Sequence, residues 1–152
     1  MAYNIRLSLH DNVKKALRYQ LDGWRQEQYK KANNTCFITK KCKAKDKRLQ
    51  LDVHHMNISF EEVIQIAHKR TGIARHEFKY QYNEGEFEKI TQEVIRIHYT
   101  EVEAVVLEHW IHMRLHERYG ANFTTEQLKE YKYSYRTNLY KSKNGNYRKK
   151  SA

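Results

Sequence analysis

The sequence predicts an α+β fold that is mostly helical. Three observations carry this: apolar residues recur at helical spacing in several stretches, only short runs alternate like strands, and recognisable cap residues bound the helical stretches. From Asn12 to about Lys31, Val13, Ala16, Leu17, Leu21 and Trp24 fall on one face and predict a first helix. Leu49, Leu51 and Val53 alternate with Gln50, Asp52 and His54, the period of a strand with one buried face. Phe37 and Ile38, across a Lys-rich turn, are its expected partner. Ser59-Phe60-Glu61-Glu62 is a capping box with Val63, Ile64 and Ala67 behind it and Gly72 beyond, so a helix of about ten residues follows. Phe87, Ile90, Val94 and Ile97 make another amphipathic stretch, Val105 to Leu107 a short strand, and His109 to Tyr119 a helix stopped by Gly120. Thr124 or Thr125 then caps a final helix. The expected organisation is an N-terminal helical segment (1–30), a central domain (31–130) with a helical insertion at about 57–100, and a C-terminal tail (131–152).

Charge narrows the function. The 152 residues hold 29 Lys+Arg against 18 Asp+Glu, a formal net charge of +11, and the mean hydropathy is −0.99. Apolar residues at 39%, with aromatics at 12%, supply a modest core and exclude a disordered acidic chain. The longest apolar run, Ala104-Val105-Val106-Leu107, is far short of a membrane span, and Met1 to Arg6 has no apolar signal core. The expectation is a soluble, cytoplasmic protein with no membrane partner.

Such a basic chain suits a polyanion, because each phosphate neutralised by Lys or Arg releases counterions. From Tyr131 to Ala152 there is no Asp or Glu, while Lys132, Arg136, Lys141, Lys143, Arg148, Lys149 and Lys150 alternate with tyrosines able to stack on bases. A second basic block contains Lys40, Lys41, Lys43 and Arg48. With Arg114 and the cations of the tail, these are the expected nucleic-acid contacts. An RNA-binding protein would rest on the tail alone.

Histidines carry the candidate chemistry. His112 and His116, at i and i+4 of a helix, put two imidazoles on one face, and His54 and His55 end the alternating strand. Two ligands from a helix and one from a strand make a three-ligand site with an open position, the arrangement of a catalytic metal. His68, His76 and His98 read as packing or surface residues, and Cys36 with Cys42 can close neither a disulfide framework nor a four-sulfur zinc site.

The run Cys36-Phe37-Ile38-Thr39, then Leu49 to His55, Val106-Leu107 and His112-Met113-Arg114-Leu115-His116-Glu117-Arg118-Tyr119-Gly120, resembles the HNH endonucleases of the ββα-metal fold, above all small phage-encoded and homing-type members. The resemblance covers about residues 31–130. It implies a ββα-metal core with the helical insertion between the hairpin and the metal-binding helix. It further implies hydrolysis of phosphodiester bonds in double-stranded DNA, nicking or cutting. His55 would be the general base, Asp52 a carboxylate that orients the site, and His54, His112 and His116 the ligands of one divalent ion, Mg2+ or Mn2+ before Zn2+ or Ni2+. The protein would act as a monomer or a homodimer.

Two departures stand out. The family's central Asn falls on Glu103, and an ionised carboxylate only accepts hydrogen bonds where Asn also donates. The cysteine pairs that hold a structural zinc in many relatives have no match, since the later positions fall on Glu108 and Ile111. No structural zinc is expected, and Phe37, Ile38, Trp110, Ile111 and Leu115 are expected to hold the motif by packing. The alternative function, supported by Glu103, is a non-catalytic DNA-binding module with a structural His-bound metal.

Overall fold

The computed structural model describes residues 11–143, with side chains to 138. It contains six helices and one two-stranded antiparallel sheet, α+β and mostly helical as the sequence predicts. No helix among the described residues is long and apolar enough to cross a membrane. The chain divides into two compact units. The first takes residues 11–27 and 58–103 of the described chain, the second 28–57 and 104–143.

In the first unit, α1 (Val13–Gln20) starts where the Asn12 side chain accepts from the Lys15 amide, and it buries Val13, Ala16 and Leu17. The single helix expected from 12 to 31 is interrupted. Leu21 leaves the helical region and α2 (Asp22–Lys31) begins anew, so Leu21 and Trp24 are buried from separate helices. α3 (Phe60–Thr71) carries the full capping box between Ser59 and Glu62, and it ends at Gly72, whose φ of 70° is left-handed and favours a residue without Cβ. α4 (Glu84–Thr100) has a second capping box, Asn83 with Glu86. Leu17, Val63, Ile64, Ala67, Ile90, Val94 and Ile97 form one core. Each large side chain there contributes about 1.5–3 kcal/mol through burial.

Two histidines belong to this core. His68 is hydrogen-bonded at both ring nitrogens, to the Ile64 carbonyl and the Tyr82 hydroxyl (2.8 Å each). His98 bonds the Val94 carbonyl (2.7 Å) and meets Trp24 edge-on. They are packing residues, and His76 likewise lies edge-on against Tyr82.

In the second unit, β1 (Leu51–His55) pairs with β2 (Ala104–Glu108) in the register Leu51 with Glu108 through His55 with Ala104. This corrects the expected hairpin. Phe37 and Ile38 are not a strand; they sit in a knuckle closed by the Thr35–Cys42 bridge, by Cys36 N–H to Lys41 C=O and by Lys40 N–H to Cys36 C=O. Only the Phe37 amide reaches the sheet, donating to Val106. The insertion therefore lies between the two strands, not between a finished hairpin and the following helix. Edge-on ladder bonds join strands whatever their separation in sequence, and a Lys-rich turn alone did not decide the pairing.

α5 (His109–Tyr119) follows β2 directly, and α6 (Thr125–Lys143) starts at a capping box between Thr124 and Gln127. Residues 131–143, expected as tail, belong to α6, where Tyr131 and Tyr135 pack against a core of Cys36, Ile38, Leu107, Ile111, Leu115, Phe123 and Leu128. Ile38, Ile111 and Leu115 hold the motif as expected, whereas Trp110 is 41% exposed.

Candidate metal centre

The site grows from two periodicities meeting at one place. Asp52 and His54 are two apart on β1 and share a face with Leu107, their neighbour on β2. On α5, Ile111 and Leu115 enter the core, while His112 and His116 form a second i, i+4 row beside them. Because α5 begins at the residue after β2, with the His109 amide bonded to the Gln50 carbonyl (2.9 Å), its histidines come up against β1.

Three imidazoles converge. His54 Nδ1 lies 3.0 Å from His112 Nε2, and His116 Nε2 lies 2.9 Å from the same atom. His54, His112 and His116 can together hold one metal ion. The remaining nitrogens of the helix pair are fixed from outside. His112 Nδ1 donates to Asp52 Oδ2 (2.9 Å), and His116 Nδ1 donates to the Gly120 carbonyl (2.9 Å). Gly120 turns the chain at φ 89°, a backbone conformation that L side chains rarely adopt. Beyond it Phe123 stacks on the His54 ring, 4.1 Å between centroids and 14° between planes.

Proton bookkeeping shows what this arrangement wants. A carboxylate and a carbonyl only accept, so the Nδ1 atoms of His112 and His116 carry the hydrogens, and their Nε2 atoms are bare in the neutral rings. Two lone pairs then face each other at 2.9 Å. A hydrogen on His54 Nδ1 would serve only one of them, and His54 Nε2 is buried with no partner in either tautomer. Adding protons is no remedy. Burial first, then the charges of His112, His116 and His55, push the His54 pKa down to about 3. A cation between the three nitrogens removes the repulsion, and outer bonds to carboxylate and carbonyl are those that metal-bound histidines use to fix ring orientation. The residues present fit a metal ion.

The other site residues fall as follows. Asp52 Oδ2 accepts a second imidazole, His109 Nδ1, at 2.7 Å. Sequence spacing alone gives His109 no role; three residues from His112, it lies on the same side of α5, a signal visible only once a carboxylate is known to lie there. His55 lies on the sheet face opposite His54, partly buried, and outside the convergent trio. Glu103 is exposed just before β2. Glu108 is buried, accepts from Thr39 Oγ1 (3.1 Å) and pairs with Lys41 (3.6 Å).

No family model, curated protein or solved structure matches this chain.

Among the expected nucleic-acid contacts, Lys40 and Lys132 meet over Phe37, while Lys41 is engaged by Glu108. Lys43, Arg48, Arg114 and Arg136 are exposed, Arg114 in a groove it shares with Arg118, Tyr131 and Tyr135. Lys141 lies in α6, and its side chain is outside the described residues, as are Arg148, Lys149 and Lys150 altogether. Charge divides sharply between the units. Residues 1–27 and 58–103 hold 11 Lys+Arg against 12 Asp+Glu, net −1, and 28–57 with 104–152 hold 18 against 6, net +12.

Proposed function

We propose that this chain is a metal-dependent endonuclease of the HNH type, hydrolysing phosphodiester bonds in duplex DNA. The observation that carries the reading is the convergence of three imidazoles, with nitrogens of His54 and His116 within 3.0 Å of His112 Nε2, in the strongly basic unit. A nuclease needs a cation at the scissile phosphate and a positive surface to hold the strand, and these two features coincide there.

His54, His112 and His116 would hold the ion, with Asp52 and the Gly120 carbonyl fixing two of the rings. When bound, the ion supplies Lewis-acid stabilisation of charge on the phosphate and on the leaving 3′ oxygen. His55, adjacent to the strand ligand, takes the proton of the attacking water; a neutral imidazole is suited to this near pH 7. Products carry 5′-phosphate and 3′-hydroxyl ends. An all-imidazole donor set suits Zn2+ or Ni2+ better than Mg2+ or Mn2+, which prefer oxygen.

The test is direct. With each of these ions in turn, purified protein should nick or linearise supercoiled plasmid, and His55→Ala should abolish cleavage while leaving DNA binding unchanged. Binding without cleavage under every ion would defeat the proposal.

A second reading, a DNA-binding module with a structural ion, draws on the position of His55 across the sheet from the trio. Chelation separates the two. Loss of the folded state on chelation points to a structural ion, whereas an intact fold with lost cleavage points to a catalytic one.

A further inference from the structure

The knuckle at residues 35–42 presents an uncommon arrangement of charge. Lys40 has a left-handed backbone, φ 61°, and its ammonium sits over the Phe37 ring, 5.2 Å from the centroid. Lys132, from α6, approaches the same ring to 3.7 Å. Arg136 follows one helical turn later, an i, i+4 pair of like charges that on its own opposes helix formation. Burial against the ring, then the charges of Lys40 and Arg136, hold the Lys132 ammonium below its ordinary value.

Among the described residues, no carboxylate pairs with these cations. The cleft beside Phe37 is lined by residues that include Gln28, Lys31, Thr35 and Lys40, and among the described residues no Asp or Glu lines it. The nearby Glu108 is already held by Thr39 and Lys41. The rest of the knuckle is firmly bonded: Thr39 N–H to Cys36 Sγ, Lys41 N–H to the Thr39 hydroxyl, and Lys40 N–H to the Cys36 carbonyl. The cations are thus displayed on a rigid support, and like charges brought together without a counterion invite an anion.

We propose that Lys40 and Lys132, held over Phe37, together with Arg136 one turn further along α6, form a cradle for the phosphate backbone of duplex DNA. This rests on the endonuclease reading for the identity of the polyanion. The cradle holds the strand through charge and carries no base readout, so it contributes affinity rather than sequence preference. Phe37 acts as the platform that keeps two ammonium groups together.

The experiment measures binding of a fluorescent duplex oligonucleotide by anisotropy in EDTA, over a series of KCl concentrations. For the wild type, the logarithm of the affinity should fall linearly with the logarithm of salt. Lys132→Met keeps the packing on Phe37 and removes one charge, and Arg136→Gln removes a charge that does not touch the ring. Each should flatten the slope by about one unit, and Lys40→Gln combined with both should flatten it by about three. Lys69→Gln, an exposed cation of the first unit, should leave the slope unchanged. Thermal melting confirms that each variant is folded.

Unchanged slopes in folded variants, with a wild type that binds and cleaves, overturn the cradle and leave the endonuclease standing. Flattened slopes in a protein that binds but cleaves under no metal support the cradle and defeat the endonuclease. A wild type that binds no duplex overturns both.

Discussion

The two units handle polar groups in opposite ways. In the first, polar groups close on one another. His68 has partners at both nitrogens, Arg70 reaches Glu101 and Glu93, Arg96 shares Glu93, and Lys14 and Arg75 both meet Glu61. In the second, His54 Nε2 is buried without a partner, imidazole lone pairs face each other, and Lys40 and Lys132 crowd one ring. Facing imidazole lone pairs repel, and a cation held between them removes that repulsion, a need the paired groups of the first unit do not have. One unit spends its polar residues on holding its own helices, and the other keeps them for something it binds.

That contrast can be broken most severely with metal. Titrating Zn2+, Ni2+ or Mn2+ should raise the melting temperature, with a stabilisation of about 4 kcal/mol at a thousandfold excess over the dissociation constant. His112→Ala, which removes the nitrogen common to both short contacts, should abolish the rise. A wild type whose melting ignores every ion would mean that His54, His112 and His116 form no metal site.

The next effect sharpens the other side. Ile97 is fully buried in the core of the first unit, and Ile97→Ala should cost about 3 kcal/mol by chemical denaturation. Metal affinity, measured by calorimetry under native conditions, should not change. A parallel loss of metal binding would show that the two units are not independent in this respect.

The smallest effect is pH dependence. Burial lowers the pKa of His98, His68 and, in the metal-free protein, His54. Folded values below the unfolded one mean that the unfolded chain binds more protons. Stability is therefore fully present above about pH 6.5 and is lost as pH falls below it, by at most about 1.4 kcal/mol per group per pH unit. For His54 the window extends down to about 3. Denaturation in EDTA between neutral and mildly acidic pH should show the fall, and saturating metal should steepen it, because a bound ion keeps the ligand imidazoles unprotonated while the unfolded chain still takes up protons. A flat profile would contradict the buried, neutral state of all three rings.

Much of this could be read without coordinates, and the reason is range. Helix bonds join residues four apart, so the Ser59–Glu62 box, Gly72, Gly120 and the bounds His109–Tyr119 were legible in local order. The i, i+4 spacing of His112 and His116 named two members of the trio for the same reason. The break at Leu21 escaped, because the apolar spacing continues across it.

The pairing of strands was another matter. Ala104–Glu108 lies far along the chain from Leu51–His55, and the nearer candidate, Phe37 and Ile38, lost because the knuckle consumed its backbone bonds. Alternation pointed to one buried face holding Leu49, Leu51 and Val53, but both faces are covered: Leu51 packs against the core opposite buried Glu108, and His54 is buried on the other side under α5 and Phe123. The basic block around Lys40 to Arg48 and the basic C-terminal stretch were both visible in composition; that they fall in one unit of net +12, assembled from two separated segments, while the other unit is −1, was not.

By itself, then, the amino-acid order determined the helices, their caps, the basic character and the residue types able to bind a metal, all of which depend on neighbours within a few positions. Only the tertiary structure decided which strand meets which, that Asp52 serves both His109 and His112, that His54 joins the helix pair, and that Lys40 and Lys132 share one ring. Those contacts join residues dozens of positions apart, and burial of the two cores, rather than any local preference, brings them together.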